Sequence, residues 1–103
     1  MQTLDKEALM AEARQKLEVY AQIHDKNRLS ILVTLFYEPN KAFNDLAREV
    51  GIYRQLLAHH IGILKDMNLV ECEYEKRGRK LTKYRLTDTG VDILHELKLT
   101  GKT

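Results

Sequence analysis

The chain holds one cysteine, one proline and no tryptophan, and each scarcity narrows what it can be. Cys72 alone cannot close a disulfide within the chain, nor supply the thiolates of a structural zinc or iron–sulfur site. It reads as a half-buried strand residue in a reducing cytoplasm. Pro39 is the single proline and glycine occurs five times in 103 residues, so there is no Gly/Ser/Pro linker, no low-complexity stretch and no repeat. One domain, 1–103, with one modest core is expected. Long apolar runs are missing as well: none approaches the roughly 18–20 residues that cross a bilayer. The opening MQTLDKEALMAEARQKLE is too charged for a secretory signal, so the expected location is cytoplasmic, with no membrane partner. Charge of one sign is also lacking. Seventeen Lys and Arg stand against fifteen Asp and Glu, a net +2; only the distribution of charge can speak about partners.

Catalytic signatures are absent too. There is no Gly-rich phosphate loop, no carboxylate pair in a glycosidase or protease setting, and no nucleophile with its base. The chain is expected to be no enzyme, with no catalytic residue and no cofactor. His59-His60, with His24 and His95, raises the question of a metal. Adjacent helical residues point about 100° apart, so one ion is a poor match for both, and no metal site is expected. His59 is expected to face outward and His60 to pack at a helix interface, where a histidine can make binding pH-sensitive. Tyr20, Tyr37, Tyr53, Tyr74 and Tyr84 are dispersed through the pattern. They read as core-edge residues rather than a stacking platform for single strands.

What is present is a clear change of period. From Leu4 to about His24 the chain is rich in strong helix formers, and Met10, Ala13, Leu17, Tyr20 and His24 form one narrow apolar stripe. A helix this long is more than a small core needs, and it is expected to pack against a second subunit. Asp25 is placed to cap a second helix carrying Ile31, Leu32, Leu35 and Phe36 up to Pro39-Asn40, a stop and turn. Lys41-Ala42-Phe43 reads as a short extended link, and Asn44 as the N-cap of a third helix. Gly51 closes that helix, because glycine takes the left-handed conformation without steric cost. A fourth helix runs from about Tyr53 to Met67 with Leu57, Ile61 and Leu64 inward, and Asn68 breaks it. Residues 69–75 and 81–86 then alternate as strands, and Thr87 starts a last amphipathic helix with Val91, Ile93, Leu94 and Leu97.

Two features in this order carry function. Residues 43–67 have the layout of a helix-turn-helix, with Ala47 at the crossing and a tight turn at Gly51-Ile52, whose second helix can enter the major groove of duplex DNA. Its outward face shows Arg54, Gln55, Ala58, His59 and Gly62. Arg54 can donate two hydrogen bonds to guanine, Gln55 can pair with adenine, and Ala58 can meet a thymine methyl. The second feature is the hairpin. Lys76, Arg77, Arg79, Lys80, Lys83 and Arg85 fall between positions 76 and 85 with no acid among them, whereas Glu71, Glu73 and Glu75 crowd the preceding strand. A basic tip beside the recognition helix suits phosphate contact or arginine insertion into the minor groove. Lys76, Arg77, Arg79 and Lys80 are the wing candidates; Lys41 and Asn44 are candidates for phosphate at a helix start.

Gly51-Ile52-Tyr53-Arg54-Gln55-Leu56-Leu57-Ala58-His59-His60-Ile61 resembles the recognition-helix region of the ArsR/MarR superfamily of winged-helix regulators. Leu64-Lys65-Asp66-Met67-Asn68-Leu69-Val70-Glu71 resembles their exit into the wing. Arg77-Gly78-Arg79-Lys80 and Tyr84-Arg85-Leu86-Thr87-Asp88-Thr89-Gly90 resemble the wing and its closing motif, and Asn27-Arg28-Leu29-Ser30-Ile31-Leu32 the opening of the second helix. The resemblance spans about Asp25 to Leu97. It implies an α+β, mostly α, winged helix-turn-helix fold and a dimeric DNA-binding regulator acting on a promoter, with repression the favoured direction. Tyr53, Leu56 and Leu57 stand where small polar residues and one apolar residue are usual, so the helix offers fewer polar contacts, and the cysteine motif of the arsenic-type sensors is absent, which argues against thiol-based sensing.

The expected organisation is a dimerisation helix at 1–24, core and wing at 25–87, and a C-terminal helix at 88–103. Double-stranded DNA and a second copy, held through Leu4–His24 and the C-terminal helices, are the expected partners. A small-molecule effector is compatible with such a dimer, but the sequence supplies no site for one. The fold also serves as a protein–protein module in transcription-related assemblies, and that alternative stays open at this point.

Overall fold

The computed structural model describes residues 5–74 and 82–97. Among them the elements run α1 (Lys6–Ile23), α2 (Lys26–Tyr37), β1 (Lys41–Ala42), α3 (Phe43–Val50), α4 (Arg54–Asp66), β2 (Val70–Tyr74), β3 (Thr82–Leu86) and α5 (Asp88–Glu96). The expected order of four helices, a hairpin and a closing helix is present, with β1 as an addition. Local chemistry accounts for most of the boundaries. The Asp5 carboxylate accepts from the Ala8 amide at 2.9 Å, and Asp25 accepts from the amides of Asn27 and Arg28 at 2.9 and 3.1 Å, each satisfying orphan donors of a first helical turn. Asn40, after Pro39, and Asn68, after α4, both sit at positive φ (64° and 62°), a region asparagine tolerates better than most side chains.

Asn44 does not cap α3. The helix starts two residues earlier than that cap implies, at Phe43, with extended Ala42 as its N-cap and no side-chain cap bond. The cause is β1: Lys41 and Ala42 pair antiparallel with Tyr84 and Lys83 of β3, so the chain turns into the helix directly from a strand. The expected link Lys41-Ala42-Phe43 is therefore two strand residues and one helical residue. The hairpin becomes part of a three-stranded antiparallel sheet of order β1-β3-β2, in which Cys72 lies opposite Tyr84 and Val70 opposite Leu86.

The core lies between α2, α3, α4 and α5, with the sheet along one side. Ile31, Leu32, Leu35, Leu46, Leu57, Leu64, Leu69 and Leu94 are its fully buried side chains; each such burial is worth about 1.5–3 kcal/mol. At the joint between the sheet and α5, Thr87 donates its hydroxyl to the Asn68 carbonyl at 2.6 Å and accepts from the Gly90 amide at 3.0 Å. The Thr87 amide bonds the Leu69 carbonyl at 3.0 Å. Helix α1 is different, since it buries only Ile23. It is tied to α5 by Glu96, which accepts from Lys16 and from the Tyr20 hydroxyl, each at 3.0 Å. Leu9, Met10 and Leu17 remain more than half exposed.

Candidate nucleic-acid interface

The pair α3–α4 is joined as the sequence requires. Gly51 stands at φ 83°, ψ 36°, and the amides of Gly51 and Ile52 both return to the Ala47 carbonyl, at 2.8 and 3.2 Å. Ala47 is buried at the crossing, where a larger side chain would force the helices apart. Helix α4 sorts its residues by face. Leu57, His60, Ile61 and Leu64 are buried, whereas Arg54, Gln55, Ala58, His59 and Gly62 are all exposed. The five outward residues read from the sequence thus share one surface, and a Cβ at Gly62 would meet nothing within 4 Å. Leu56 is half-buried. None of the outward five is acidic, so this part of the face offers donors and apolar surface to a polyanion; the one exposed acid of α4, Asp66, stands at its C-terminal end.

His60 packs inward, as expected from its place beside outward His59. Its Nδ1 lies 3.0 Å from Nη1 of Arg28 on α2. Arg28 also donates to the Gln22 carbonyl at the end of α1 and stands 3.9 Å from Asp25. Burial pushes the His60 pKa below 6.5; the neighbouring Asp25 carboxylate opposes that shift, while Arg28 and His59 add to it. A neutral imidazole is what the guanidinium needs, because arginine only donates. Among the described residues no three His, Cys, Asp or Glu side chains gather as a metal would require.

The basic residues divide into engaged and outward ones. Lys41 is held by Glu38 at 2.6 Å and Glu49 at 3.3 Å, and its hydrogen bond to Glu38 raises its pKa above the ordinary lysine value. A phosphate would have to compete with both carboxylates. Asn44 is exposed in the first turn of α3. Arg85, counted with the basic wing, is committed across the hairpin: its Nε meets Glu71 at 2.8 Å and its Nη1 meets Glu73. The acidic strand is therefore partly neutralised by the basic one. Lys76, Arg77, Arg79 and Lys80 themselves lie outside the described residues.

Tyr53 was placed among the core-edge tyrosines by its sequence. It is 75% exposed, directly before Arg54 at the N-terminus of α4. Its position after the Gly51-Ile52 turn is the signal that could have found it, since an N-cap residue projects past the first turn rather than into the core. Arg28 is the other residue the sequence did not single out; its role depends on α1, α2 and α4 meeting, which spacing along the chain does not show.

A family description, winged helix DNA-binding domain, matches residues 27–98. No curated protein matches the chain. Among solved structures, NolR from Sinorhizobium fredii is 28% identical with a TM-score of 0.74 and full coverage of both chains. The transcriptional repressor BigR from Xylella fastidiosa is 21% identical at TM-score 0.76, covering 96% of this chain and 100% of that one. A homodimeric winged helix-turn-helix DNA-binding domain from Mycobacterium bovis, described as a possible ArsR-family regulator, is 19% identical at TM-score 0.69 over 94% of this chain and 85% of its own. With a helix-turn-helix, a sheet-borne hairpin and a family match over most of its length, the chain belongs to the winged helix DNA-binding domains.

Proposed function

We propose that this protein is a sequence-specific, double-stranded DNA-binding transcriptional regulator, a repressor in its basic mode, that acts as a homodimer. The observation that carries the reading is the outward face of the N-terminal part of α4, where Arg54, Gln55, Ala58, His59 and Gly62 are exposed together with no acid among them, on a helix braced by α3. In this arrangement α4 lies in the major groove, with Arg54 and Gln55 hydrogen-bonding base edges and Ala58 and His59 completing the contact. Lys76, Arg77, Arg79 and Lys80 serve as wing contacts to phosphate or minor groove, and Asn44 approaches the backbone beside the recognition helix. Lys41 joins them only by giving up Glu38 and Glu49. BigR is a repressor and the Mycobacterium bovis domain a homodimer, and both support the same reading here. Two copies present two recognition helices about one turn of DNA apart on a pseudo-palindrome. The reading makes the protein cytoplasmic and non-enzymatic.

Fluorescence anisotropy with mixed-sequence duplex DNA at several salt concentrations tests it, followed by selection from random DNA. Affinity that falls steeply as salt rises, through counterion release, is the expected result, with a two-fold symmetric selected site. No duplex binding at low salt would overturn the proposal and leave the protein-interaction role of the fold.

A further inference from the structure

We propose that Tyr53 is a specificity-determining residue that walls an apolar slot for the C5-methyl group of a thymine. The inference rests on the DNA-binding reading above and adds a residue and a base feature to it.

The slot is visible on the recognition face. A shallow, open depression is lined by Phe43, Tyr53, Arg54, Gln55 and Ala58. Three of these present apolar surface, and the other two are the hydrogen-bonding residues at the start of α4. A second shallow depression is lined by Ala47, Arg48, Gly51, Ile52, Tyr53 and Arg54. Tyr53 and Arg54 therefore border both depressions. An aromatic ring left 75% exposed buries little within the chain. Tyr53 occupies the N-cap of α4 without capping it, and no described residue hydrogen-bonds its hydroxyl. Neither folding nor helix termination accounts for a tyrosine here.

The major groove supplies one apolar group, the thymine methyl; its other features are donors and acceptors. A concavity with phenylalanine, tyrosine and alanine walls, rimmed by Arg54 and Gln55, is complementary to that methyl beside a pair being read by hydrogen bonds. Ring and methyl together remove apolar surface from water, which ties binding to the base rather than to phosphate. A tyrosine that used its hydroxyl on a phosphate would instead give no base preference.

The test begins with the site selected from random duplex DNA. Each thymine of one half-site is replaced in turn by deoxyuridine, which deletes the methyl and keeps the hydrogen-bonding edge. Affinities are read by anisotropy at fixed salt for the wild type, Tyr53→Phe and Tyr53→Ser; melting temperatures confirm that both variants fold. One thymine per half-site is expected at which the substitution weakens wild-type binding about four-fold, the worth of one buried carbon. Tyr53→Phe keeps that loss, and in Tyr53→Ser it disappears. Loss at no thymine, or an undiminished loss in Tyr53→Ser, overturns the slot while the DNA reading stands. Loss of discrimination in Tyr53→Phe as well assigns the hydroxyl and overturns the ring's role. Failure to bind any duplex overturns both.

Discussion

Arg28 Nη1 and His60 Nδ1 face each other at 3.0 Å, and this contact fastens the recognition helix to the corner where α1 meets α2. The guanidinium has no acceptor and keeps its charge, so Nδ1 must accept and the imidazole must stay neutral. Protonation would set a second cation against the first in a buried position. The same guanidinium holds the Gln22 carbonyl, so a disturbance at His60 reaches the end of the long first helix.

A pH dependence follows with a definite sign. Burial lowers the His60 pKa in the folded state below 6.5, so the unfolded chain binds more protons between the two values. Stability then rises with pH through that window. The contribution is complete above about pH 6.5 and is lost progressively as pH falls below it. Melting temperature measured from pH 8 to pH 5 should fall on the acid side, and His60→Gln, which can still accept from Arg28, should flatten the fall. An equal slope in the variant would show that His60 does not carry the effect.

Gly90 carries a second prediction. It is a helical glycine whose replacement by alanine would ordinarily gain about 1 kcal/mol in helix propensity. A Cβ there would stand 2.4 Å from the Leu69 carbonyl oxygen, which is backbone and cannot rotate away. The clash would push α5 off the α4–β2 junction and strain the Thr87 bonds to Asn68 and Leu69. Gly90→Ala is expected to cost a net 1–3 kcal/mol, as overpacked sites do. Thermal unfolding reads this as a drop of several degrees in Tm; a rise would show that the junction yields.

Much of this was legible in the sequence. Gly51, Asn68, Asp25 and Thr87 announce helix ends through local chemistry, and Leu57, Ile61 and Leu64 announce the buried face of α4 through their spacing. The boundary error at Asn44 arose because pairing of Lys41 and Ala42 with β3 is a contact between segments some forty residues apart, and it overrode a good N-cap residue. The pairing of Arg85 with Glu71 and Glu73 was hidden for a related reason. Charge counted along the chain marks a basic hairpin, while register across the strands decides which charges cancel. Lys41 likewise has its carboxylate partners in two places, one just past α2 and one on α3.

Arg54 and Arg79 should separate base reading from backbone binding. Arg54→Ala removes a bidentate donor at the start of α4 and is expected to cost about 1–3 kcal/mol on the selected site while relaxing preference at one base pair. Arg79→Ala removes a wing charge. It should weaken all duplexes alike and reduce the slope of log affinity against log salt by about one. Competition binding with single-base variants of the site distinguishes the two patterns, and the same pattern for both residues would refute the assigned docking geometry.

The face of α1 sets the last prediction. Met10 and Leu17 are seven residues apart on one side of the helix, exposed at 53% and 64%, and Tyr20 on the same stripe is bound to Glu96 of α5. A single chain gains nothing from an apolar stripe held in water beside its own C-terminal helix, whereas a second copy laid against α1 and α5 would cover it. Leu17→Glu places a charge in that seam. In sedimentation equilibrium the dimer dissociation constant should rise at least about thirty-fold, the scale of an interface hot spot. Because Leu17 touches no core, Tm extrapolated to low concentration should hold. DNA affinity should fall with the dimer, since one recognition helix and one wing cannot span two half-sites. A monomeric wild type, or a variant that dimerises as well as its parent, would move the interface elsewhere.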